Sequence, residues 1–160
     1  MDKPLGRGDL FLVTLNATAP NLRFREARER LGLSPQEVAA RSGVSSSAVW
    51  DIEEIDDDLT SCYSPRQLQQ FCRVLAIHPV KLFADEISEP AVSAQDLARR
   101  IHEECHSRGV TLEQFENLVG WRLGACIKPA EKLLEDLTLD ALQSVCRQLR
   151  IDWRRVLLGL

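Results

Sequence analysis

Several things are missing from this 160-residue chain, and each absence narrows its function. No apolar run approaches the roughly twenty residues a membrane helix requires, and the N-terminus lacks a secretory signal pattern. The five cysteines are odd in number and contain no CxxC pair. A disulfide framework is therefore not expected, and a reducing cytoplasm suits the spacing better. Cys72 and Cys146 fall in apolar helical patterns, where a free thiol packs as a small hydrophobe. There is no P-loop, no Rossmann glycine pattern and no nucleophile elbow, so neither an enzyme nor a cofactor is expected. Positive charge is not in excess either: the net charge is −4 and the pI about 5.4. A nucleic-acid binder gains affinity by neutralising phosphates, so any such role must rest on a local patch.

What is present reads as helical and soluble. Apolar residues make up 44% of the chain, enough for a packed core, and 28% charged residues argue against wholesale disorder. Leu, Arg, Ala and Glu dominate, with one Tyr and eight Gly, a balance that favours helix. Residues 1–19 stand apart as a short arm; its LFLVTL run (Leu10 to Leu15) favours strand but a lone strand has no partner, so it either pairs across a dimer or lies extended on the helices. A first helix follows, with Leu22, Phe24, Ala27 and Leu31 on its apolar face and a stop near Gly32. Ser34-Pro35-Gln36-Glu37 is a capping box with proline at the first helical position, opening a helix that ends near Gly43. A third helix starts around Ser45 and points Ala48, Val49 and Ile52 inward. Ser64-Pro65-Arg66-Gln67 repeats the capping signature ahead of Leu68, Phe71, Cys72 and Leu75. His78-Pro79 opens a last short helix anchored by Leu82 and Phe83. Ser88 to Ser93, with Pro90, reads as a linker. The boundaries are thus an arm over 1–19, a domain over 20–87, a linker over 88–93 and a second domain over 94–160.

The second half echoes the first. Thr111 lies 77 residues after Ser34, and at that offset Gly32 meets Gly109 and Gly43 meets Gly120. Beyond a contraction of three residues the offset becomes 74: Ser64 meets Thr138, Leu68 meets Leu142, Cys72 meets Cys146 and Leu75 meets Leu149. Turns, caps and core positions recur together, which favours duplication over chance alignment of amphipathic helices.

The segment LSPQEVAARSGVSSSAVWDIE (Leu33 to Glu53) resembles the helix-turn-helix of the phage-repressor (Cro/Xre-type) family, and the likeness runs from Phe24 to Phe83. The resemblance implies an all-α five-helix domain there; with the internal repeat, the expected fold is two tandem five-helix domains, the second degenerate, behind the N-terminal arm. It also implies that the third helix enters the major groove of double-stranded DNA. Carried over by position, Ser45, Ser46, Ser47, Trp50 and Asp51 would face bases, and Gln36 and Arg41 phosphates. Arg28 and Glu53 would form a structural salt bridge between the first and third helices. The expected function is a sequence-specific transcriptional regulator, acting as a homodimer on a palindromic site.

Several features do not follow from that expectation. Pro35 stands where the family often has a phosphate-binding Gln. Between Arg41 and Arg66 no Lys or Arg occurs, while Asp51, Glu53, Glu54, Asp56, Asp57 and Asp58 are acidic. Carboxylates beside a duplex weaken binding, so the alternative is a protein-interaction module whose acidic loop holds a basic partner. In the second half, Trp121 to Lys128 contains Gly124 and precedes Pro129, which suits packing or dimerisation better than DNA reading. Finally, His102-Glu103-Glu104-Cys105-His106 matches H-E-x-x-H, yet Leu112 occupies the third-ligand position of the extended pattern. The repeat places this stretch opposite Arg25 to Glu29 of the first helix, so no metal site is expected.

Overall fold

A computed structural model describes residues 19–160, so the arm expected over 1–19 lies outside the described residues except for Ala19. Every regular element among them is helical. In order they are α1 (Pro20–Arg30), α2 (Pro35–Ser42), α3 (Ser46–Glu54), α4 (Asp58–Cys62) and α5 (Pro65–Val74). A 3-10 helix (Pro79–Leu82) follows, then α6 (Ala94–Arg108), α7 (Leu112–Val119), α8 (Lys132–Asp136), α9 (Leu139–Gln148) and α10 (Arg154–Leu158). No helix among the described residues is long and apolar enough to cross a membrane.

Local chemistry starts most of these helices. Ser34 Oγ accepts the Glu37 N–H at 3.2 Å, while Glu37 Oε2 accepts the Ser34 N–H at 2.7 Å. Ser64 with Gln67 and Thr111 with Gln114 make the same reciprocal box. Each cap satisfies an amide that the helix leaves orphaned, an interaction worth about 1 kcal/mol. Side chains then converge inward. Phe24 meets Phe71 edge-on at 5.7 Å between centroids, and Tyr63 meets the same ring at 5.2 Å. Val49, Ile52, Leu59, Leu68 and Leu82 fill the space around them, and Leu97, Ile101, Phe115, Leu133 and Leu142 do so in the second half.

The structure departs from the sequence expectations in three places. α1 buries Asn21, Phe24 and Ala27, whereas Leu22 and Leu31 are about two-fifths exposed. With 100° per residue, Leu22 lies on the far side of the helix from Phe24, and Leu31 already belongs to the C-cap. The short helix α4 begins at the last residue of the acidic run, in a stretch to which no helix was assigned, because Leu59 is drawn into the core. The last element of the first half is a 3-10 turn, with His78 Nδ1 accepting the Val80 N–H.

The backbone keeps the internal register. α2 and α7 coincide residue for residue at offset 77; α4 with α8 and α5 with α9 do so at offset 74. Left-handed residues fall in step too: Gly32 with Gly109, Gly43 with Gly120, and, unusually for residues with a Cβ, Ala76 with Arg150. The exception is the counterpart of α3. Residues 120–131 form turns with no helix.

Glu116 explains that exception. It stands where α2 has Ala39, the small residue that lets α2 and α3 approach closely. Its largely buried carboxylate accepts the backbone N–H groups of Leu123 at 2.6 Å and Gly124 at 2.7 Å, and pairs with Arg122 at 3.1 Å. Those two backbone bonds, with the Arg122 contact, hold its pKa below the ordinary carboxylate range. A charged group placed there needs donors, and unwound backbone supplies them.

Candidate nucleic-acid interface

The geometry of α2 and α3 is set at Gly43. Its φ of 73° lies in the left-handed region, and no atom would lie within 4 Å of an added Cβ. The turn therefore requires glycine for backbone conformation and not for space. Val44 continues the turn with its N–H on the Ala39 carbonyl at 3.0 Å. Ser45 then caps α3, its Oγ accepting the Ala48 N–H at 3.3 Å and lying 3.0 Å from Ser47 Oγ.

α3 packs on α1 and α2 through Val49, Ile52 and Glu53, all buried. Ser45, Ser46, Ser47, Trp50 and Asp51 are exposed, as are Gln36 and Arg41 on α2. Trp50, 47% exposed, lies on the outer side of the helix and not in the core. Ser46, Ser47, Trp50 and Glu54 follow the three-to-four-residue step that aligns side chains along one helix face.

The inner face is locked to α1 by a buried carboxylate. Glu53 is only 2% exposed, and Arg28 grips it in a fork, Nε to Oε1 at 2.5 Å and Nη2 to Oε2 at 2.8 Å. The hydrogen bond to Glu53 raises the Arg28 pKa above its ordinary value, so the guanidinium remains charged. Arg28 Nη1 also donates to the Leu33 carbonyl at 2.8 Å, tying the α1–α2 turn into the same cluster.

Two members of this cluster escaped the sequence reading. Arg25 reaches Glu53 Oε2 at 3.3 Å, the Glu53 carbonyl at 3.0 Å and Glu54 Oε1 at 2.5 Å. Asn21, buried, donates from Nδ2 to Asp56 Oδ1 at 3.1 Å and to the Glu53 carbonyl at 3.4 Å. Asn21, Arg25 and Arg28 are spaced four and three apart, a polar stripe on one face of α1 that was available as a signal.

Charge on the exposed face is mostly negative. Asp51, Glu54, Asp56 and Asp57 are exposed and Asp58 partly so, and no Lys or Arg lies between Arg41 and Arg66. Arg25 offsets Glu54, and the acidic turn itself shrinks to Ile55–Asp57 between α3 and α4. The second half offers a different surface at the matching place: Trp121, Arg122 and Lys128 are exposed on non-helical backbone.

His102 and His106 are exposed on α6, while Cys105 turns into the core. No group of three or more His, Cys, Asp or Glu side chains that could hold a metal ion occurs among the described residues. The five cysteines are free thiols.

Residues 22–82 match the family model of a helix-turn-helix domain; the match spans well under half of the chain and ends before α6. No curated protein and no solved structure matches the chain.

Proposed function

We propose, taking the helix-turn-helix domain over residues 22–82 as the premise, that this chain is a DNA-binding transcriptional regulator of the Cro/Xre-like type. α3 is the element that enters the major groove. Ser46, Ser47, Trp50 and Asp51 face base edges, where serine bonds several bases, Asp51 accepts from cytosine N4 and the Trp50 ring meets thymine methyls. Gln36, in the first turn of α2, and Arg41 contact phosphates. Ser45 serves mainly to hold the start of α3. The reaction is binding alone, with no covalent step.

The observation that carries this reading is the contrast between the two faces of α3. One face is clamped to the scaffold through Glu53 and the other stands in solvent with its serines and Trp50 outward. A rigid probe on a packed scaffold is what groove recognition needs. The second half is read as a degenerate copy that has given up its probe and kept its packing, supported by the matching left-handed residues and by Glu116 in place of Ala39. Selection of bound duplexes from a random library at low ionic strength tests the reading. Enrichment of a motif that disappears with Trp50→Ala is the expected result; no enrichment rejects it.

A second reading has its own observation. Asp51, Glu54, Asp56 and Asp57 surround two exposed apolar residues, Trp50 and Ile55, a pattern that fits a basic protein partner. Reversal of Asp57 to Lys separates the two and leaves the Asn21–Asp56 contact of the scaffold intact. It strengthens duplex binding if α3 meets phosphates, and it weakens capture of a basic partner if the face is a protein site.

A further inference from the structure

Contacts between the two halves have a regularity that neither half shows alone. α4 packs on α9, α5 packs on α8, and the 3-10 helix packs on α10. At the offset of 74, α8 is the counterpart of α4 and α9 the counterpart of α5. The contact between α4 and α9 is therefore exchanged for its mirror, α5 on α8, while the last elements of the two halves meet each other. Reciprocal exchange of this kind, i on j and j on i, is the signature of a twofold isologous interface. Here both sides belong to one chain.

We propose that the chain is a built-in pseudo-dimer, in which the second half fills the self-pairing face of the helix-turn-helix domain and leaves one probe helix per molecule. This rests on the DNA-binding reading for what the probe does, but not for how the halves pair.

The joint is specific at the atomic level. The Leu139 N–H donates to the Tyr63 carbonyl at 2.9 Å, and Arg66 pairs with Glu131 at 2.6 Å. Phe83 and Trp153 meet edge-on at 4.9 Å, and Gln69 reaches the Leu160 carbonyl at 3.0 Å. Below the joint, Arg155 binds Glu89 and the Pro90 carbonyl, pinning the connecting segment to α10.

The twofold relation has also been broken in ways that favour pairing within the chain. The mirror of Leu139 is Pro65, which has no N–H to donate, so two first halves together would lose this bond on both sides. The mirror of Arg66 is Asp140, so two second halves together would set Asp140 against Glu131. Each half thus fits the other through a contact its own duplicate could not reproduce. The short connection adds a high effective concentration, which keeps the partner half in place against a second chain.

The functional consequence concerns the form of the target. Symmetric helix-turn-helix dimers read two half-sites related by a dyad, because two probe helices are presented. This chain presents α3 on one side and the turns of 120–131, held by Glu116, on the other. Its target is one asymmetric half-site, read by a single chain, and not a palindrome read by two.

Light scattering on the full chain, free and with selected duplex, tests this, together with a cross-link. On a Cys62→Ser background, Arg66→Cys and Glu131→Cys are joined by a short bismaleimide. A one-chain mass across a wide concentration range, a cross-link closed within the monomer and a motif without dyad symmetry are expected. A two-chain mass, or cross-links formed between chains, overturns the proposal. So does an inverted repeat occupied by two chains. A one-chain mass with an internal cross-link but no enriched DNA supports the pairing while rejecting the DNA reading.

Discussion

Replacement of Arg28 by alanine should be the most damaging change among the exposed and half-exposed residues of the first domain. The Glu53 carboxylate it serves is almost fully buried, and Arg28 provides two of the three hydrogen bonds that arginines make to it. Removing one partner of a buried ion pair costs about 3–5 kcal/mol, because the remaining charge is left without compensation. Arg25 retains one contact to Glu53 Oε2 at 3.3 Å, which places Arg28→Ala at the lower end, about 3 kcal/mol. Against a typical domain stability of about 5–15 kcal/mol this is a large fraction. It corresponds to a fall of roughly 6–12 °C in Tm for a chain of this size. Arg25→Ala should cost about 1 kcal/mol, since that side chain is one-third exposed and its contacts are partly solvated. Arg28→Lys should fall between, keeping the charge but losing the planar fork. The double change Arg28→Met with Glu53→Leu should recover most of the loss, because no charge is then stranded. Urea unfolding midpoints of the set provide the measurement. Equal losses for Arg28→Ala and Arg25→Ala, or a double variant worse than both singles, would refute the argument.

Three other outcomes follow from particular groups. Gly43→Ala meets no steric obstacle but must hold φ near 73°, so it should lose about 1–2 kcal/mol; a neutral unfolding midpoint would count against the left-handed turn. Glu116 has a folded-state pKa below its unfolded value, so its stabilisation is present above the ordinary carboxylate range and is lost as pH falls through the folded value. Glu116→Gln should therefore be less stable than the parent near neutrality and approach it in acid, and parallel pH–stability curves would contradict the assignment. Cys62 is exposed, whereas burial pushes the Cys72 and Cys146 thiols up to about 12. A thiol reagent should modify Cys62 well before those two in the native chain and all five after unfolding, and equal native rates would show a core looser than described.

Much of this fold was legible in the sequence because its signals are local. Ser34, Ser64, Thr111 and Thr138 cap helices through bonds spanning three residues, and Gly43 and Gly120 take left-handed backbone at helix ends. Such interactions depend on near neighbours in the chain, so residue type and spacing suffice to locate them. The pairing of Arg28 with Glu53 came from family resemblance, and its partners Asn21 and Arg25 were missed although their spacing on α1 matched. Helix α4 was missed because five residues with one buried anchor, Leu59, carry too little periodicity to be seen.

By itself, then, the order of residues determined where most helices begin, where they turn and that caps and left-handed turns recur at fixed offsets. Tertiary structure alone decided which face of α1 is buried, that Glu116 takes the Leu123 and Gly124 amides where Gly124 and Pro129 already weaken helix, and that α4 packs on α9 while α5 packs on α8. The reason is physical. Those outcomes depend on groups far apart in the chain competing for the same buried space and the same donors, and no short window of sequence contains both competitors.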